Sequence, residues 1–174
     1  MLDPIDGDSA TGDQIAEAGL EPKYAEFFAA NYPHAARIGA KYAVDPTLLL
    51  GLAAHESGYG TSDDTREQNN PLGMRPDGHT PTAFPSIEAA WQAWGREFGP
   101  RVLGVGSDAR MFVDRLQEDH RTLYGPTRGG DYRGPYNSEP VPPDQRDWKT
   151  NVAGTIAGVR RRLRVWQNDS DNAP

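Results

Sequence analysis

The stretch "LLLGLAAHESGYGTS", residues 48–62, sets a carboxylate at the end of an apolar, helix-forming run. Leu49, Leu52, Ala53 and Glu56 fall at i, i+3, i+4 and i+7, so they share one helical stripe, and Glu56 lies on the face that packs inward. Glycine at 58 ends the helix, which puts Glu56 in its last turn, against the partial negative charge of the helix dipole. Desolvation and the dipole both favour the neutral acid. A glutamic acid that keeps its proton near neutral pH, at the edge of a core and opening onto a loop, is suited to general acid catalysis. The bland alternative is a slightly rotated helix with Glu56 as an ordinary surface residue. His55 points about 100° away, toward Leu48 and Gly51, as a partner of the acid or as filler.

Metal chemistry is not expected. His55 and Glu56 do not open a zinc-protease motif, because Tyr59 stands where the second histidine would be. His34, His79 and His120 are scattered, and there is no cysteine, which excludes disulfides, thiol catalysis and cysteine-bound metals. The acids at 6, 8 and 17 faintly suggest a calcium loop, but Thr11 occupies the glycine position and Ala10 a ligand position. No cofactor is implied.

The elements that must position Glu56 are mostly helical. A helical period starts at Pro22, with Tyr24, Phe27 and Phe28 on one stripe. Pro33 reads as the start of a second helix carrying Ala35, Ile38 and Tyr42. Asp45-Pro46 is an N-cap followed by proline, opening the helix that stops at Gly58. Residues 60–85, broken by Gly, Pro and Asn, read as a loop or at most a short β-hairpin. Ser86 caps a helix with Ile87, Trp91, Trp94 and Phe98 on one face, which ends at Gly99-Pro100. Ser107 caps another with Phe112, Val113 and Leu116. After a Gly/Pro/Tyr-rich stretch from Leu123 to Pro143, Asp144 caps the last helix, whose inner face carries Trp148, Val152, Ile156, Val159, Leu163 and Trp166. Residues 1–20 read as a flexible lead-in, 21–167 as one domain and 168–174 as a frayed end. The fold class is mainly α, with about six helices and two long loops of the kind that carry function.

The 174 residues are enough for one core, and 36% hydrophobic content with 19 glycines and 15 prolines fits a globular chain with long loops. A formal net charge of -7 argues against nucleic acid and anionic lipid as partners. The basic run "RRRLR" at 160–164 reads as a solvated face near a helix end. No apolar run approaches the roughly 18 residues that span a bilayer, and "MLDPIDGDSATGDQ" lacks the pattern of a secretory signal, so neither membrane insertion nor a signal peptide is expected.

The blocks "AARIGAKYAVDPTLLLGLAAHESGYGTS", "NNPLGMR", "FPSIEAAWQAW" and "YNSEPVPPDQRDWKTNVAGTIAGV" resemble, in order, those of glycoside hydrolase family 73. These are peptidoglycan N-acetylglucosaminidases with a lysozyme-like α-helical fold. The resemblance covers about residues 35 to 163. It implies that Glu56 is the general acid. It implies that Asn70, Leu72 and Gly73, with Pro71 between the first two, match the family's "N-L-F-G" loop and contact substrate. Tyr136 matches the tyrosine opening the "Y-x-T-D-P" block, as a second catalytic residue that orients the substrate's acetamido group. The family's second acid commonly sits on a hairpin lobe after the "N-L-F-G" loop. That segment is short here and offers Asp77, with Glu88 just beyond it in the first turn of a helix. Asp63, Asp64 and Glu67 precede the loop, and the second carboxylate stays unassigned.

A glycan strand needs an open groove lined with aromatics, for which Tyr59, Tyr132 and Tyr136 are candidates; Tyr124 is the better match to loop packing. The four tryptophans, on helical stripes, read as core. The expected partners are peptidoglycan strands and a cognate immunity protein that occludes the cleft. A chain without a signal would be made in the cytoplasm and act in the periplasm or wall, carried by a secretion machine such as the type VI system or released by a phage holin. Muramidase and lytic transglycosylase activity are the neighbouring chemistries. A non-catalytic glycan- or protein-binding lysozyme-like module is the rival class.

Overall fold

A computed structural model describes residues 19–75, 81–118, 136 and 147–171. Among the described residues six α-helices follow in order: α1 (Pro22–Tyr42), α2 (Pro46–Ser57), α3 (Asp63–Gln68), α4 (Ile87–Glu97), α5 (Ala109–Gln117) and α6 (Trp148–Asp171). A 3-10 turn, Gly99–Val102, extends α4. Among the described residues there is no strand, only one isolated bridge between Val44 and Gly106. No described helix is long and apolar enough to cross a membrane. The mainly α reading therefore holds.

α2 is the axis of the molecule. Every residue from Leu48 to Ala54 is buried, so the stripe through Leu49, Leu52 and Ala53 is only part of a helix enclosed on all sides. A helix that is apolar all round belongs in the middle of a core. α6 crosses it most closely at Gly51, where an added Cβ would lie 2.3 Å from Ile156 Cγ1 and 2.8 Å from Ile156 Cα. α1 covers another flank, and α4 packs on α1. The Asp45 side chain accepts from the Thr47 backbone N–H, as the cap at this position should, and Gly58 closes the helix in the left-handed region at φ 56°.

Several local expectations are corrected. Pro33 does not start a helix; it lies inside α1. The buried residues Tyr24, Phe27, Phe28, Asn31, Ala35 and Ile38 form one face across it, and burial of that face outweighs the cost of the proline, about 3 kcal/mol. Ala29, whose carbonyl loses its intrahelical donor, is exposed to water. Residues 63–68 form a short helix capped by Ser62, which hydrophobic period could not reveal because only Thr65 is buried. Asp108, not Ser107, caps α5 by accepting from the Met111 N–H. Asp144 lies outside the described residues; α6 begins at Trp148, and the Asp147 side chain accepts from Thr150 N. α6 runs through Asp171, so the arginine run falls mid-helix rather than near its end. Arg162 is buried, its guanidinium 4.3 Å from the Tyr24 ring centroid, and Arg160 donates to the Ser107 carbonyl.

Candidate active site

Glu56 stands in the last turn of α2, half-buried, where the helix leaves the core. The chain turns away at once. Gly58, Tyr59 and Gly60 are all left-handed, at φ 56°, 57° and 79°. The buried Ser57 ties this turn together: its Oγ donates to the Ala53 carbonyl at 2.6 Å and accepts from Gly60 N at 2.8 Å.

The loop after α3 then returns to the carboxylate. Asn70 is 1% exposed and closes it with both ends of its amide: Oδ1 accepts from Met74 N at 2.9 Å, and Nδ2 donates to Met74 O at 3.0 Å. Leu72 is fully buried and anchors the loop in the core. Gly73, at φ 60°, faces Glu56 so closely that a Cβ there would lie 2.9 Å from Glu56 Oε2. A side chain is excluded twice, by the backbone conformation and by the carboxyl group.

Two aromatic residues complete the surroundings. Trp148, at the head of α6, donates its indole N–H to Glu56 Oε1 at 3.0 Å. Tyr136 stacks on Trp148, with centroids 5.5 Å apart and planes 29° apart, and meets the Phe98 ring edge-on at 4.7 Å. Its hydroxyl donates to the Leu72 carbonyl at 2.6 Å, and its backbone N–H donates to Leu116 O at 3.0 Å. Burial pushes the Tyr136 phenol well above its ordinary range, and the nearby Glu56 charge pushes the same way. An indole thus donates to one oxygen of the carboxyl group, and the loop backbone at Gly73 approaches the other.

The structure brings Glu56, Leu72, Gly73 and Tyr136 together, but assigns several of them other duties. The Asn70 and Leu72 side chains are sealed from solvent and shape the loop, rather than touching a ligand. The Tyr136 proton is engaged by Leu72 O, so Tyr136 is a brace between the loop and α6. Tyr59 turns away from Glu56: its ring packs edge-on against Tyr24 and Phe27, and its hydroxyl accepts from Arg162 at 3.1 Å. Arg162 is 14 residues beyond Trp148, about 21 Å along α6. Tyr59 is therefore a partly buried ring packed against the core on that side. His55 faces α6, its Nδ1 3.5 Å from Thr155 Oγ1.

Of the candidate second acids, Glu88 is paired with Arg37 at 2.5 Å on the surface of α1, and that guanidinium holds its carboxyl below the usual range. Asp64 pairs with Arg75 at 3.7 Å. Asp77 and Tyr132 lie outside the described residues. Glu97, the last residue of α4, is close enough to add to the upward push on Tyr136, and nothing in its sequence context marked it. Trp148 is the main residue that sequence reasoning missed. Its period marks it as core, which it is, but periodicity does not say which indole N–H meets a carboxylate.

A family model described as glucosaminidase, mannosyl-glycoprotein endo-beta-N-acetylglucosaminidase, matches residues 32–153, a span that contains every residue of this site. A chain in the solved structure of a type VI secretion system effector-immunity complex from Pseudomonas protegens is similar, with a TM-score of 0.61 and 24% identity, covering 83% of this chain and 96% of that one. At that identity the likeness speaks for the fold. No curated protein matches the sequence.

Proposed function

Since the chain belongs to the glucosaminidase family and is a glycoside hydrolase acting on glycans, we propose that it cuts the β-1,4 backbone of bacterial peptidoglycan as an N-acetylglucosaminidase, with Glu56 as the general acid. The observation that carries this reading is the position of Glu56, where a helix buried from Leu48 to Ala54 emerges beside a glycine and an indole donor. Glycosidic cleavage needs a proton on the leaving oxygen and support for an oxocarbenium-like centre. Glu56 supplies the first. With Glu88 held by Arg37, the second falls to Asp77 or to the substrate's own acetamido group.

The similarity to a chain of an effector-immunity complex supports a route of delivery. The protein is made in the cytoplasm, exported by a type VI machine, and acts on the wall of a competitor; the producer protects itself with an immunity protein that covers Glu56. The working unit is 21–167, with α6 continuing through Asp171.

Glu56→Gln keeps the shape and the indole contact but removes the acid. It is expected to abolish release of fragments from purified sacculi while the circular dichroism melt stays unchanged. Retained activity rules out the assignment. Mass spectrometry of the products names the bond: reducing-end GlcNAc for a glucosaminidase, reducing MurNAc for a muramidase, anhydro-MurNAc for a lytic transglycosylase. Binding to sacculi with no products from the unmodified protein would favour a non-catalytic module.

A further inference from the structure

Resting on the reading of Glu56 as the general acid, we propose that Trp148 is its positioning residue: the indole N–H holds the carboxyl group where it meets the leaving oxygen, and Tyr136 backs the indole. The core alone does not give Glu56 that orientation. Packing fixes α2 from Leu48 to Ala54, but a glutamate in the last turn still has side-chain torsions of its own. A displacement of about 1 Å at a catalytic group can cost about a hundredfold in rate.

Trp148 supplies the restraint from a second helix. Its Nε1 donates to Glu56 Oε1 at 3.0 Å. The two helices already meet where Ile156 packs on Gly51. Ile156 lies about 12 Å beyond Trp148 along α6, and Glu56 about 7.5 Å beyond Gly51 along α2. The indole bond is therefore a second tie, set away from the crossing, and it resists rotation about it. The donor is itself held. Its ring is buried and stacked on Tyr136, with centroids 5.5 Å apart. Tyr136 is fastened at both ends, through its N–H to Leu116 O and through its hydroxyl to Leu72 O. Because Leu72 precedes Gly73, one tyrosine sets both the loop that faces Glu56 and the ring that holds it. Acid, indole and loop keep one register, although they come from α2, α6 and the segment after α3. A buried indole offers little surface to a sugar, so its work is on the acid and not on substrate affinity. An indole N–H only donates, and it favours the charged carboxylate against the desolvation and helix dipole that favour the neutral form.

The test places 3-benzothienylalanine at position 148 by nonsense suppression and follows cleavage of soluble peptidoglycan strands. That side chain has the shape of tryptophan with sulfur in place of the N–H, so packing stays and the donor goes. Its kcat should fall about tenfold to a hundredfold with little change in KM. The alkaline limb of its pH–kcat profile should move to higher pH, because the lost donor had favoured the charged form. A ring that merely packs is satisfied by shape, so a native kcat or a limb that does not move overturns the positioning role. Tyr136→Phe keeps the stacked ring and removes the tie to Leu72 O. It should lower kcat as well, and combining the two changes should cost less than the product of the single losses. Losses that multiply overturn the part given to Tyr136. An active Glu56→Gln overturns the acid reading itself, whereas an inactive Glu56→Gln beside a native benzothienylalanine protein overturns the duty of Trp148 alone.

Discussion

Asn70 shows how little a matching residue type says about its duty. Its amide is fully engaged with the two polar groups of the Met74 backbone, so it acts on Glu56 through the shape of the loop that carries Gly73. Asn70→Ala would leave the buried Met74 N–H without its acceptor, while Met74 O keeps the Thr82 N–H, at a cost of about 1–3 kcal/mol. Urea unfolding should register that loss, and activity should fall because Gly73 is no longer held against the carboxyl. Glu56 itself was legible, since an acid in the last turn of an apolar helix is a local anomaly that the sequence displays. The block around Asn70, Leu72 and Gly73 was legible as a unit, but burial divides its work: two residues build the loop and one faces the acid. Trp148 and the inward reach of Tyr136 were not legible. They depend on contacts 92 and 64 residues away in the chain, for which no spacing rule exists.

Helix ends were read more reliably than helix breaks. Asp45, Gly58 and Ser86 act as their residue types require, because a cap is a local hydrogen bond. Pro33 misleads because its effect is decided by a face that is continuous on either side of it. Ser107 and Asp108 are adjacent and both able to cap, so their order is settled only by where the helix starts. At the crossing of α2 and α6, glycine allows the helices to approach until backbone nearly meets backbone. Gly51→Ala is therefore expected to destabilise by about 1–3 kcal/mol, since Ile156 Cα cannot move without moving α6. Gly154→Ala, on the open side of α6 with nothing within 4 Å, should instead stabilise by about 0.5–1 kcal/mol. Thermal melts of the pair, which differ in sign, check whether the crossing rather than helix propensity governs position 51.

For the whole molecule, His34, Glu88 and Asp147 each favour neutral over acidic conditions. Burial holds His34 below its ordinary 6.5, so the folded state binds fewer protons than the unfolded one, and stability declines as pH falls below that value. Glu88 is held down by Arg37 and Asp147 by the Thr150 N–H. Each contributes stability above its unfolded pKa and loses it as pH falls through the lower, folded one. The melting temperature should therefore drop between pH 7 and 5 and drop again below about 4, with Glu88→Gln removing part of the second fall; calorimetry across that range tests it. The overall class followed from helical periods and from chain length, but the enclosure of α2 did not, because a single stripe reads the same whether one flank of a helix is covered or all of them. That enclosure has an evolutionary consequence. The segment that presents the acid is also the pillar of the fold, so neither can drift without the other. Adaptation to a different sugar or crosslink has only the rim to work with, while the pillar admits almost no change.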